Sequence, residues 1–196
     1  YMQDTYLISK EKGELASEIA RREKALLDTL HYEDGYSLYI GIPFCPTRCA
    51  YCSFVSQSIE RFGEFLPAYL DALLREIAHT GKLLRDSGFH IRTLYIGGGT
   101  PTTLSAPELD RLLADTKACF DLSACREFTV EAGRPDTVTE EKLAVLVSHG
   151  VNRVSVNPQT MSDAVLEEIG RHHTAAQVRE AVAMVKKFPQ LAFNMD

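Results

Sequence analysis

Three cysteines, Cys45, Cys49 and Cys52, crowd into the stretch IPFCPTRCAYCSF over residues 42–54. Thiolates on so short a loop can grip a soft metal. A structural zinc site would close with a fourth protein ligand, and no histidine lies in the stretch. A [4Fe–4S] cluster is usually held by four cysteines. With three, one iron keeps an open position for an external ligand, which makes a site for chemistry rather than electron storage alone. Cys119 and Cys125 are the remaining candidates for a fourth ligand, but they fall near the expected amino end of a later strand. They read more simply as reduced thiols in or near the core.

Other groups could act beside the cysteines. GGGTPT (97–102) follows an apolar run; by itself it reads as a structural turn, yet Gly98 and Gly99 would let the backbone approach a ligand closely. Glu131 closes the run FTVE and would, alone, be a solvated loop residue. Arg171 offers a planar fork for a carboxylate, or is an ordinary helix-end arginine. Gln159 and Asp196 can hydrogen-bond hydroxyls. His172 and His173 beside a helix junction read as surface or packing residues, and His149 as a charge partner for a helix C-terminus.

The elements that must position these groups alternate. Strands are expected at 36–42, 91–99, 127–133, 151–157 and 191–196. Helices are expected at 10–31, 62–86, 106–119, 139–149, 162–169 and 174–187. The second of these carries the stripe Leu66, Tyr69, Leu70, Leu73, Leu74 and Ile77, and the third opens on a capping box of Ser105 and Glu108. Strand–helix alternation implies a parallel sheet covered by helices, closed as a barrel or open and doubly wound. In both, loops leaving the carboxyl ends of strands build the site. Each unusual group lies there: the cysteine loop, GGGTPT, Glu131, NPQ (157–159) and Asp196.

Composition bounds the rest. With 196 residues and 45% apolar content, the chain can build a substantial core. No apolar run is long enough to span a membrane, and a net charge of −6 argues against nucleic acid as main partner. Five cysteines, three of them clustered, suit metal ligation in a cytoplasmic protein better than a disulfide framework. The chain begins at Tyr1 and stops in an expected strand, so it reads as a piece of a longer protein: a helical lead-in over 1–35, then a core domain over 36–196 that is truncated at its C-terminus.

The C-x3-C-x2-C spacing with Tyr51 before the third cysteine resembles the signature of the radical S-adenosyl-L-methionine (SAM) enzymes. With YIGGGTPT, VEAGRPDT, RVSVNPQTMSDAVLEEIGRHHT and FNMD, it resembles in particular the oxygen-independent coproporphyrinogen III oxidase (coproporphyrinogen dehydrogenase) family, HemZ-like members included. The resemblance implies a partial TIM-like (β/α)6 barrel, seen here as a fragment. It implies a [4Fe–4S] cluster on Cys45, Cys49 and Cys52, with SAM chelating the open iron. It assigns Gly98, Gly99 and Thr100 to the methionyl ammonium, Arg171 to the carboxylate, and Tyr39, Glu131, Gln159 and Asp196 to further SAM contacts. Tyr51 matches an aromatic residue that touches a second SAM. The implied reaction is oxidative decarboxylation of two propionates of coproporphyrinogen III to vinyls, giving protoporphyrinogen IX in haem biosynthesis, with an unidentified electron donor. The best-known dehydrogenases carry one more cysteine where this chain has Phe54; haem-binding chaperones on the same scaffold lack it too. Other radical SAM chemistry, such as RNA modification, fits the acidic balance less well, and a zinc-stabilised α/β binding module stands as the alternative outside the family.

Overall fold

The computed structural model describes residues 1–30 and 33–196, in two units, Tyr1–Asp34 and Gly35–Asp196. The first unit holds helices α1 (Met2–Tyr6) and α2 (Lys10–Leu27). Ser9 caps α2 by accepting from the Lys12 N–H. No residue of α2 is buried, and Glu18 pairs with Arg21 and Arg22 along its surface. The helix expected over 10–31 thus stops at Leu27, and its last expected residue, 31, lies outside the described residues.

The second unit runs β1 (Gly35–Ile42), β2 (Phe44–Cys45), β3 (Gln57–Ser58), α3 (Ile59–Phe62), α4 (Leu66–Arg85), β4 (His90–Gly98), α5 (Ala106–Cys119), β5 (Glu127–Glu131), α6 (Glu140–Ser148), β6 (Arg153–Ser155), α7 (Asp163–Glu168), α8 (Ala175–Val185) and β7 (Ala192–Asn194). Five strands form one parallel sheet in the order β1-β4-β5-β6-β7. Each strand therefore lies beside the next sheet strand in the chain. A doubly wound sheet reverses direction at a switch point; this one steps one way throughout, as the wall of an incomplete barrel does.

Ile40, Ile42, Leu94, Ile96, Val130 and Val154 are buried on these strands, as parallel strands covered by helices require. Against them pack α4, through Leu66, Leu70, Leu73, Leu74 and Ile77, and α5, through Leu109, Leu112 and Leu113. The capping box at Ser105 and Glu108 is formed, so α5 begins where its sequence signal places it. Pro67 sits in the first turn of α4, whose expected start at 62 is taken instead by α3 and a 3-10 turn over Gly63–Phe65.

Three expected strands are shorter than read, among them β7, which spans only Ala192–Asn194 of the expected 191–196. β5 stops at Glu131, and β6 spans only Arg153–Ser155, ahead of Asn157-Pro158. The register sets the strand ends level: Ile42 lies opposite Gly98, and Glu131 opposite Ser155. The loops that follow consequently open on one end of the sheet.

Candidate cluster and SAM site

At that end lies a cavity of about 480 Å3. Its lining includes every residue that the resemblance assigns to the cluster or to SAM: Cys45, Cys49 and Cys52, Tyr39 and Tyr51, Gly98, Gly99 and Thr100, Glu131, Gln159, Arg171 and Asp196. Phe54, Gly133, Arg134 and Asn157 complete it. Asn157 belongs to the NPQ group already singled out, whereas Arg134 has no role in the sequence reading, although it follows a strand in the way that draws attention to Glu131.

The cysteine loop is pinned on two sides. Cys45 ends β2, which pairs with β3 through Phe44 and Gln57. Across the loop, Ala50 N–H donates to the Ile169 carbonyl at 2.9 Å, and Thr47 Oγ1 donates to the Gly170 carbonyl at 2.9 Å. Toward the sheet, Gly99 N–H donates to the Ile42 carbonyl and Thr100 N–H to the Phe44 carbonyl, both at 2.8 Å. Thr100 Oγ1 donates to Cys45 Sγ at 3.4 Å. These bonds hold the loop that carries the thiols against the glycine turn after β4.

All five cysteines are free thiols. Cys119 ends α5 and Cys125 precedes β5, at the opposite end of the sheet from the cavity, so neither can supply a fourth ligand. Among the described residues no three His, Cys, Asp or Glu side chains converge closely enough to hold a single metal ion. A zinc ion would need that convergence; an iron–sulfur cube does not, because each thiolate binds its own iron. Burial pushes the Cys45 thiol up, with the Thr100 hydrogen bond working against it; a bound metal would override this by displacing the proton.

Two arginines face Cys49. Arg171 Nη1 approaches its Sγ at 3.9 Å and Arg134 Nη1 at 4.0 Å. Arg171 Nη2 donates to the carbonyls of Gly133 at 2.7 Å and Asn157 at 2.6 Å, and Nη1 also reaches Tyr51 Oη at 3.3 Å. Arg171 Nε and Arg134 Nη2 are buried with no hydrogen-bond partner among the described residues. Buried cationic donors beside three thiols fit an anionic group that would use them, and so the residues present fit a thiolate-held cluster with an anionic ligand on it.

The glycine turn is shaped by close approach. Gly98 takes φ +108°, which a side chain rarely tolerates. A Cβ on Gly99 would lie 2.7 Å from the Phe44 carbonyl oxygen and 3.0 Å from Cys45 Sγ. Gly99→Ala is therefore expected to cost about 1–3 kcal/mol in strain and to displace Cys45. The check is iron content of the full-length variant after anaerobic purification, which should fall well below wild type; wild-type iron would contradict the reading.

Glu131 accepts from Tyr95 Oη at 2.6 Å, and the Tyr95 ring stacks on Tyr39 at 5.9 Å between centroids. Burial holds the Glu131 carboxyl above its ordinary range, the Tyr95 and Gly98 hydrogen bonds pull it back, and Asp196 adds to the rise. Gln159 sits at φ 67° and donates its N–H to the Asp196 carbonyl at 3.0 Å; a left-handed backbone at a non-glycine residue is the sort of strain found in ligand sites. His172 is exposed and His173 is buried behind the two arginines. Burial and those cations push the His173 pKa down, which keeps the ring neutral as a packing residue. His149 caps α6, and its Nε2 meets Asp110 Oδ1 at 2.7 Å.

The comparisons with known proteins agree with this geometry. The family model of the radical SAM superfamily matches residues 39–191. HemZ of Bacillus subtilis strain 168, an oxygen-independent coproporphyrinogen-III oxidase-like protein, is 42% identical over 97% of this chain and 38% of its own length. The heme chaperone HemW of Lactococcus lactis is 41% identical over 77% of this chain and 38% of its own length. Among solved structures, coproporphyrinogen III oxidase HemN of Escherichia coli, a radical SAM enzyme, superposes with a TM-score of 0.72 at 26% identity, over 88% of this chain and 40% of that one. The chain thus spans about two fifths of the length of these relatives.

Proposed function

The chain belongs to the radical SAM superfamily, and from that premise we propose that the whole protein carries out the oxygen-independent oxidative decarboxylation of coproporphyrinogen III to protoporphyrinogen IX. Members of the superfamily bind a [4Fe–4S] cluster and SAM. When bound, these supply one-electron reduction and hydrogen abstraction from an unreactive carbon. The observation that carries the reading is the single cavity in which three free cysteines meet a glycine turn, a carboxylate and two buried arginines. The similarity to HemZ along nearly the whole chain supports the substrate.

The chain's own residues take these parts. Cys45, Cys49 and Cys52 would hold the cluster, one iron to each thiolate. The turn of Gly98 and Gly99, backed by the buried Thr100, would receive an ammonium group, and Glu131 would provide negative charge beside a sulfonium. Arg171, its Nη2 spent on two backbone carbonyls, has Nε left for the methionine carboxylate. Gln159 and Asp196 suit ribose hydroxyls, and Tyr39, exposed at the rim, gives a face for the nucleoside. Tyr51 and Phe54, both more than half exposed, border the mouth on the side of the cysteine loop, where Tyr51 would meet a second SAM. A low-potential one-electron donor of unassigned identity is required. Among the described residues no helix is long and apolar enough to cross a membrane, and we place the protein in the cytoplasm, with no role for nucleic acid.

Glu131 gives a stability test as well as a binding one. Its folded pKa is raised, so the unfolded chain ionises first as pH climbs, and stability falls across the window from the ordinary carboxylate value to the raised one. Glu131→Gln should abolish that fall while weakening SAM binding by about 1.5–3 kcal/mol. Chemical unfolding at several pH values, with equilibrium dialysis against SAM, checks both; an unchanged SAM affinity would remove Glu131 from the site.

The activity is tested by incubating the full-length protein without oxygen with SAM, reductant and coproporphyrinogen III, and following protoporphyrinogen IX. A second reading, haem carriage on the same scaffold, is favoured by Phe54 in place of the further cysteine and by the similarity to HemW. Stable haem binding with no decarboxylation would select it.

A further inference from the structure

Arg134 is 2% exposed, yet its surroundings hardly account for a buried guanidinium. Nε donates to Asp136 Oδ1 at 3.3 Å, and Nη1 donates to Thr47 Oγ1 at 3.0 Å and points at Cys49 Sγ from 4.0 Å. Nη2 is buried with no hydrogen-bond partner among the described residues. Asp136 is itself partly exposed and meets Arg134 only at 3.3 Å, its same oxygen lying 3.9 Å from His173 Nδ1, so the pair does little to offset the desolvation of the charge. Nor does Arg134 hold the loops together as Arg171 does with its two backbone carbonyls. The one strongly anionic feature it can serve is the thiolate trio with whatever those thiolates bind.

We infer that Arg134 is a positioning residue for the cluster's charge state: its fixed cation beside Cys49 stabilises the reduced cluster and makes the cluster easier to reduce. The inference rests on the reading of Cys45, Cys49 and Cys52 as cluster ligands. The reduction potential of an iron–sulfur cluster is set by net charge, by hydrogen bonds to its sulfurs and by exposure to water. Reduction adds one electron, delivered by an external one-electron donor, to a site that is only partly open to solvent. A buried cation a few ångströms away favours the state with the extra negative charge. Arg134 is aimed for this: Thr47, itself in the cysteine loop, holds Nη1 toward Cys49, and the unpaired Nη2 can donate to sulfur. Arg171 faces the same sulfur but has a second task toward the ligand. Asp136 opposes Arg134 by neutralising part of its charge, so the two side chains should act with opposite sign.

The experiment is a redox titration of the full-length protein, purified and reconstituted without oxygen, with dithionite as electron donor and the reduced cluster read by electron paramagnetic resonance. Wild type, Arg134→Gln, Arg134→Lys and Asp136→Asn are compared at equal iron content. Arg134→Gln should lower the ratio of reduced to oxidised cluster at a fixed potential by about tenfold, which is about 59 mV for a one-electron couple. Arg134→Lys, keeping the charge but not the fork, should fall between it and wild type, and Asp136→Asn should raise the ratio. Arg134→Gln with full iron and a wild-type ratio overturns the inference, as does Arg134→Lys falling as far as Arg134→Gln. If Arg134→Gln fails to retain iron, Asp136→Asn decides: a raised ratio supports the inference and an unchanged or lowered one overturns it. Wild type that takes up no iron overturns the ligand reading, and the inference with it.

Discussion

Replacing any one of Cys45, Cys49 or Cys52 with alanine should reduce the iron content of the full-length protein to background and abolish cleavage of SAM. The size of the effect follows from the count of ligands. Three thiolates already leave one iron without protein support, and a second unsupported iron leaves the cube held at half its corners. Folding should suffer little by comparison. Each cysteine is only partly buried, the loop is fastened mainly through bonds of Thr47, Ala50, Gly99 and Thr100, with long contacts to sulfur at Cys45 and Cys52, and the expected cost is about 1 kcal/mol. Cys119→Ala and Cys125→Ala, at the other end of the sheet, should keep wild-type iron. Iron analysis and thermal unfolding of the five variants check this; a cluster retained by any one of the first three would remove that residue from the ligand set.

Arg171→Ala should have the next largest effect, on two fronts. Its Nη2 is the donor to the Gly133 and Asn157 carbonyls, which join the loops after β5 and β6. Buried acceptors left without a donor cost about 1–3 kcal/mol each. Toward the ligand, loss of a buried charge partner costs about 2–5 kcal/mol, so SAM binding should become undetectable at ordinary concentrations. Lysine should not rescue it, since an ammonium cannot serve two carbonyls, Cys49 and a carboxylate in one plane. Equilibrium dialysis against SAM and thermal unfolding of the Arg171→Lys protein make the check; wild-type affinity would show that the carboxylate is held elsewhere.

Much of this architecture could be read from residue types. The buried parallel strands announce themselves as apolar runs such as IRTLYIGGG, and the helices between them by stripes and caps, as at Ser105 and Glu108. Whether the sheet winds both ways or steps around a barrel could not be read, since alternation is common to both; the strand order decides it. The two-residue ladder of β2 and β3 also escaped notice, because a pairing this short carries no periodicity. In the site, Glu131 and Gln159 stood out by type at the ends of strands. Arg134 stood in the same place two residues before Asp136 and was passed over, because a charged loop residue is ordinarily solvated and its burial arises only when the cysteine loop folds across it. The lowering of the His173 pKa likewise depends on burial, and then on two arginines brought together from distant segments.

The most direct test is electron paramagnetic resonance of the reduced full-length protein, prepared without oxygen, before and after addition of SAM. An open iron corner predicts about four irons per chain, the signal of a reduced [4Fe–4S] cluster, and a clear change in that signal when SAM binds. A protein that carries zinc instead, or whose cluster signal is indifferent to SAM, would contradict the account.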